Sequence, residues 1–92
     1  VFCKTDPEAG AHGITAFIVD RNMPGVKVGA EEDKMGLRLS NTTELILDNV
    51  IVPKNRVLGK VGEGMKLALN ALNLSRAFVC TMGVGIYAAR TR

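Results

Sequence analysis

The first half of the chain carries short apolar runs of the kind that form β-strands. The runs are rich in β-branched and aromatic residues and are separated by Gly, Pro and Asn, which favour turns. They predict strands at 1–4, 14–20, 26–28 and 44–53. The last run alternates most clearly and ends at Pro53, which lacks the N–H that a sheet needs. Between the last two runs, the polar segment 31–42 predicts irregular structure.

The second half of the chain changes to the period of a helix. Residues at spacings of three, four and seven share one apolar helix face: Leu67, Ala71, Leu74, Phe78 and Gly85. A narrower polar stripe lies on the opposite side, made of Lys66, Asn70, Asn73 and Arg76. Since the residues beside the stripe are also apolar, we expect a helix enclosed by other elements. The polar residues interrupt the apolar stretch and exclude a membrane-spanning helix from the prediction.

Composition and charge narrow the class of protein. The chain has 92 residues, of which 47% are apolar and 23% charged, so it forms at most one small globular domain. Its net charge of +3 is scattered and its aromatic residues are few, so we expect no nucleic-acid partner. Cys3 and Cys80 lie far apart and have no redox or metal-binding spacing, which indicates a reducing compartment.

Two loop segments are candidates for ligand contact. His12 stands in a Gly-rich loop without a second His or Cys nearby, so we interpret it as a solvated residue, with a ligand contact as the less favoured alternative.

The segment GKVGEG at 59–64 precedes the predicted helix, as a phosphate-binding loop would. No Lys-Ser or Lys-Thr pair follows Gly64, and the third Gly of a dinucleotide fingerprint is missing. A plain strand-to-helix connection is therefore favoured.

Arg76 is the residue that most needs an explanation. It lies three residues after Asn73 on the same helix face, with no acidic residue within one helical turn. A buried guanidinium without a carboxylate is costly, so its partner must lie outside this segment. That partner is either an acidic residue elsewhere in the fold or an anionic or carbonyl-bearing ligand, which the planar donor group of arginine suits. The residues alone leave both alternatives open.

Several blocks of residues, in this order, resemble the acyl-CoA dehydrogenase family over essentially the whole chain. They are KTDPEAGAHGITAFIVD, MPG, KMGLRLSNTTELILDNVIVP and VLGKVGEGMKLALNALNLSR. The resemblance implies an α+β fold, in which a partial antiparallel β-barrel or sheet of the middle domain precedes one long helix of an α-helical bundle. It implies the C-terminal part of the middle domain at 1–58, a linker at 59–64, and the first helix of the C-terminal bundle at 65–92. Both ends would then lie inside a longer polypeptide.

The resemblance also implies a chemistry. Enzymes of this family oxidise an acyl-CoA thioester to the 2,3-enoyl-CoA: a glutamate removes the α-proton, and a hydride passes from the β-carbon to FAD. Electron-transferring flavoprotein usually takes the electrons on, and the enzymes usually assemble as homotetramers. The expected location is the bacterial cytoplasm or the mitochondrial matrix.

The family pattern assigns roles to few residues of this chain. Arg76 matches the helix arginine that lines the acyl-CoA site, and Asn73 takes the place of an acidic residue that contacts the pantetheine part in many members. The loop around Ala11 and His12 resembles one near the CoA end.

The catalytic base and the flavin contacts are not expected within this chain. Ser75 stands where some members have the glutamate base, and in most others the base follows the position of Arg92. We therefore expect the 92 residues alone to be inactive. A non-catalytic relative that uses the fold for binding or scaffolding is the alternative.

Overall fold

The computed structural model describes residues 1–91, which contain five β-strands, two 3-10 helices and one α-helix. The strands are β1 (Phe2–Lys4), β2 (Ile14–Phe17), β3 (Val26–Glu31), β4 (Thr43–Leu47) and β5 (Val57–Leu58). The 3-10 helices cover Gly10–Gly13 and Lys54–Arg56, and the α-helix, α1, covers Gly64–Arg90. The chain divides into two compact units: Val1–Phe17 together with residues 57–91, and Ile18–Arg56.

The first unit is built on a three-stranded antiparallel sheet with the order β1-β2-β5. Its central strand, β2, pairs on one side with β1, where Phe2 lies opposite Ala16, and on the other with β5, where Ala16 lies opposite Leu58. Thr15 and Ala16 of β2 are the side chains that this unit buries most completely, with 0% and 2% of their surface exposed. The buried centre of the unit is thus the middle of β2.

The second unit is an antiparallel ribbon of β3 and β4. Val26 lies opposite Leu47 and Val28 opposite Leu45, and an irregularity follows before Glu31 pairs with Thr43. Every residue of β4 is exposed, although the strand is mostly apolar. An isolated two-stranded ribbon is marginally stable in water. This unit therefore has apolar surface left for further packing.

The predicted α+β class is confirmed, since antiparallel sheets precede one long helix. The run at 44–53 forms a strand only to Leu47, because Asn49 takes a left-handed φ of 51° that leaves the strand conformation. The run at 14–20 ends as a strand at Phe17, and the run at 26–28 continues to Glu31. Strand β5 was not predicted, because two residues are too short to show a period of two.

The elements expected to bury the helix are not found within residues 1–91, and the prediction that it is enclosed stays a prediction. Helix α1 spans 27 residues, and from Leu69 onward its residues are exposed. Leu74 and Phe78, which belong to the predicted apolar face, are 65% and 64% exposed. The physical reason is that residues 1–91 contain no second α-helix, so only the first turns of α1 pack against other elements.

The apolar composition of α1 has a second consequence. By length and composition alone the helix would also suit a membrane crossing. The four polar residues of the stripe therefore do not by themselves exclude a membrane span. The proposal that these residues form the first helix of a bundle, after a middle domain at 1–58 and a linker at 59–64, accounts for the same apolar surface. In a bundle, a helix that is apolar almost all round is covered by neighbouring helices.

Candidate functional site

An open groove of about 590 Å³ lies within the first unit. One wall is the 3-10 helix Gly10–Gly13, and the other is the start of α1 with the turn before it. The residues that line it are Ala11, His12, Gly62, Glu63, Met65, Lys66, Leu69, Asn70 and Asn73. The two loop segments that the sequence singled out, around His12 and at 59–64, therefore meet at one place.

The groove forms because the chain approaches itself closely at two glycines. Gly62 has a φ of +85°, and a Cβ there would lie 2.6 Å from the backbone oxygen of His12. A Cβ on Gly64 would lie 2.8 Å from the backbone oxygen of Ile14. Real Cβ atoms do not come this close to a carbonyl oxygen. A larger residue at position 62 would have to push the two walls apart, and one at position 64 would push the start of α1 away from β2. Glycine at position 62 therefore sets the width of the groove.

Two amides of the turn at 59–64 are not free for a phosphate. The N–H of Gly62 donates to Thr15 Oγ1 at 3.0 Å, and the N–H of Glu63 donates to the backbone oxygen of Lys60 at 3.1 Å. A phosphate cradle needs such N–H groups to point at the ligand. This geometry supports the interpretation as a strand-to-helix connection.

The lining of the groove combines apolar and polar chemistry. Met65 and Leu69 present apolar surface, while Asn70 and Asn73 contribute amides. Lys66 adds a cation and His12 an imidazole, and both side chains belong to exposed residues. His12, interpreted as a solvated residue, is exposed and also lines the groove. An elongated ligand with amide, apolar and anionic parts fits this mixture better than a purely apolar one.

The described residues do not fit a flavin dinucleotide. The groove lining contains no Phe, Tyr or Trp side chain on which a tricyclic ring could stack, and the amides of Gly62 and Glu63 in the turn are paired. Among residues 1–91, no three His, Cys, Asp or Glu side chains are grouped so that they could hold a metal ion. No chemical step through either group is assigned to these residues.

Asn73 and Arg76 are brought together by the helix. Arg76 Nη1 donates a hydrogen bond to Asn73 Oδ1 at 3.3 Å, and both residues are exposed. Asn73 lies at the end of the groove, and Arg76 lies three residues farther along α1. Because arginine has no acceptor, the Asn73 oxygen faces it, which leaves the amide NH₂ for another partner.

Within residues 1–91 the Arg76 guanidinium is exposed, so the partner predicted to lie outside this segment is not supplied here. In the part that the structure describes, the ion pairs are Asp33–Arg38 and Asp20–Arg56, and neither involves Arg76. The structural ion pair, one of the two alternatives left open by the sequence, is therefore not made within residues 1–91. The cationic group remains available to a ligand or to further parts of a larger protein.

Ser75 does not have a free hydroxyl. Its Oγ donates a hydrogen bond to the backbone oxygen of Leu72 at 3.0 Å, a common arrangement for serine within a helix. A neutral serine hydroxyl is a very weak base at neutral pH, and its own proton is already given to the Leu72 oxygen. The residue in the position of a possible base thus has a local structural role here.

Comparison with known proteins identifies the class. The family model for the acyl-CoA dehydrogenase middle domain matches residues 1–50, more than half of the chain. An acyl-CoA dehydrogenase from Bacillus subtilis is 49% identical over 85 residues, which cover 92% of this chain and 22% of the relative. Mitochondrial acyl-CoA dehydrogenases are also among the relatives.

Solved structures agree with the family match. The butyryl-CoA dehydrogenase of Megasphaera elsdenii is 47% identical, with a TM-score of 0.76, over 78% of this chain and 19% of that one. A chain solved in work on the electron transferring flavoprotein of Acidaminococcus fermentans is 53% identical, with a TM-score of 0.72, over 74% of this chain and 18% of that one.

These matches assign the family. The chain belongs to the acyl-CoA dehydrogenase family. It spans about a fifth of the length of the curated relatives it matches. The resemblance stated from the sequence blocks is therefore confirmed.

Proposed function

We propose that these residues form part of an FAD-dependent acyl-CoA dehydrogenase that oxidises acyl-CoA to the 2,3-enoyl-CoA. The observation that supports this most directly is the groove between the 3-10 helix Gly10–Gly13 and the start of α1, which ends at Asn73 with Arg76 beside it. FAD would supply the hydride acceptor, and neither the residues that would hold it nor the catalytic base are assigned to the described residues.

The role proposed for the groove is to bind the pantetheine part of the ligand. Pantetheine is a narrow chain with two amides, and the groove offers apolar Met65 and Leu69 beside the amides of Asn70 and Asn73. The NH₂ of Asn73 is not used by Arg76 and suits a carbonyl oxygen of the ligand. Lys66 is placed to attract the phosphates of CoA by charge, since a lysine binds phosphate as a point charge.

Arg76 is proposed to bind the acyl-CoA ligand from the acyl side of the groove. Its guanidinium has donors beyond the one that it gives to Asn73, and no carboxylate among residues 1–91 competes for them. Hydrogen bonds from a charged donor are roughly twice as strong as neutral ones. Arg76 therefore orients the ligand, and the proton is removed by a base elsewhere in the protein.

The partners and the location follow as part of the proposal. We expect electron-transferring flavoprotein as the electron acceptor, a choice supported by the match to a chain solved in work on such a flavoprotein. We expect a homotetramer, in which the apolar surfaces of α1 and β4 are covered by the rest of the protein. The bacterial cytoplasm and the mitochondrial matrix are both compatible with the relatives.

The proposal is tested by flavin reduction in the purified full-length protein. We expect bound flavin with absorbance in the visible region, and we expect straight-chain or branched acyl-CoA thioesters to bleach it when oxygen is absent. Free CoA and the free fatty acid serve as controls and should leave the absorbance unchanged, because they lack the thioester that makes the α-proton acidic.

Two results would contradict this function. A full-length protein without flavin would remove the hydride acceptor from the proposal. A flavoprotein that binds acyl-CoA without bleaching would be a non-catalytic relative, which is the alternative that Ser75 first raised. The acyl-CoA thioester that bleaches the flavin absorbance at the highest rate would identify the preferred substrate.

A further inference from the structure

We propose that Thr15, a buried residue that does not touch the groove, is a positioning residue for acyl-CoA binding. Its hydroxyl holds the turn before α1 against the 3-10 helix and so fixes the distance between the two walls. The proposal rests on the function proposed above, because it takes acyl-CoA as the ligand of the groove. It concerns how this chain fixes the distance between the two walls of the groove.

The hydroxyl of Thr15 lies in the middle of three successive hydrogen bonds, in which each group donates to the next. The N–H of Gly62 donates to Thr15 Oγ1 at 3.0 Å, and Thr15 Oγ1 lies 2.8 Å from Thr5 Oγ1. Thr5 Oγ1 in turn donates to the backbone oxygen of Gly13 at 3.2 Å. Since each hydroxyl has one proton and that of Thr5 goes to Gly13, Thr15 donates to Thr5.

This hydrogen-bond chain joins both walls of the groove. Gly62 belongs to the turn that forms one wall, and Gly13 is the last residue of the 3-10 helix that forms the other. Thr15 is fully buried, so a water does not reach the position of its hydroxyl unless the turn moves. Aligned hydrogen bonds also strengthen one another. The hydroxyl thus acts on one wall through the N–H of Gly62 and on the other through the Thr5 hydroxyl, which donates to the backbone oxygen of Gly13.

Valine is the substitution that removes this function with the least change in shape. Thr15→Val keeps the branched side chain and replaces the hydroxyl with a methyl group, which leaves the Gly62 N–H without its partner. The turn is then expected to move away from β2 to reach water or another acceptor, and the groove changes width. In the full-length enzyme we expect KM for acyl-CoA to rise about 3- to 10-fold, with kcat within about twofold.

Two further variants separate positioning from stability. Thr15→Ser restores the hydroxyl and should return KM to within about twofold of the wild type. Ala16→Gly serves as the matched control, because Ala16 is the neighbouring buried residue and makes no hydrogen bond to the groove through its side chain. It should lower the melting temperature and leave KM unchanged.

If Thr15→Val cannot be purified folded, Thr15→Ser and Thr15→Cys replace it as a matched pair. Both lack the methyl group, but a thiol is a weak acceptor, so only the cysteine variant should raise KM. An unchanged KM in Thr15→Val, or equal KM values for serine and cysteine, would overturn the proposal. A wild-type enzyme that acyl-CoA does not reduce would instead contradict the proposed function, so the two failures are distinct.

Discussion

Replacement of Arg76 with alanine in the full-length protein is expected to lower kcat/KM for acyl-CoA about 10- to 100-fold. The reason is the loss of charged hydrogen bonds to the ligand, which are worth about 1.5–3 kcal/mol. Within residues 1–91 the side chain contacts only Asn73 by a hydrogen bond and has no ion pair, so the free energy of unfolding should change by less than about 0.5 kcal/mol. Steady-state kinetics and thermal melts of the same samples measure both quantities.

Arg90 offers a matched control in the same helix. It lies in the last turn of α1, fourteen residues after Arg76 by the numbering, and does not line the groove. Arg90→Ala should leave kcat/KM unchanged and cost at most about 1 kcal/mol through the helix dipole. If Arg76→Ala lowered the melting temperature strongly and left the kinetics of the folded protein unchanged, Arg76 would be a structural ion-pair partner supplied by another part of the protein.

Replacement of Gly62 with alanine is expected to destabilise the protein and to impair ligand binding together. The left-handed φ of +85° costs an alanine about 1–3 kcal/mol. A further cost arises because the new Cβ would lie 2.6 Å from the backbone oxygen of His12, which must move. Since His12 and Gly62 line opposite sides of the groove, KM for acyl-CoA should rise as the melting temperature falls.

The variant Gly10→Ala separates the cost of the left-handed φ from the cost of the close approach to His12. Its φ is +57°, also left-handed, but a Cβ there would have open space around it. Gly10→Ala should therefore show only the conformational cost, about 1–2 kcal/mol, with KM unchanged. Equal losses of stability in the two variants, combined with equal KM values, would show that the close approach of Gly62 to His12 does not set the groove.

The sequence was sufficient for the elements with a clear period. The alternation at 44–53 and the helical spacing from Leu67 to Phe78 reflect which side chains a strand or helix can bury, and both elements are present. Their ends were less predictable. Asn49 leaves the strand conformation through its backbone, and this choice depends on the turn that follows. Strand β5 is held by pairing with β2, which no local pattern of two residues can indicate.

The candidate site was predictable only in part. Asn73 and Arg76 could be paired from their spacing, because residues three apart share a helix face. The groove itself depends on contacts between residues far apart in the chain, such as Thr15 with Gly62. A threonine inside an apolar strand gives no local signal of such a partner. Neither its burial nor the group that satisfies its hydroxyl was predicted from the sequence.

The sequence indicates a buried apolar face on α1, and residues 1–91 contain no elements that cover it. The apolar face from Leu67 to Phe78 predicts burial, yet residues 1–91 leave most of α1 exposed. Burying a large apolar side chain contributes about 1.5–3 kcal/mol, so a helix with this many exposed apolar residues requires a partner surface. The length of the relatives, about five times that of this chain, provides room for one.

A crystal structure of the full-length protein with an unreactive acyl-CoA thioether tests the central claim most directly. We expect the pantetheine chain in the groove between the 3-10 helix Gly10–Gly13 and α1, with Arg76 in hydrogen-bond contact with the ligand. We also expect other helices to cover the apolar face of α1. A ligand bound elsewhere, with the groove filled by the protein's own side chains, would contradict the account.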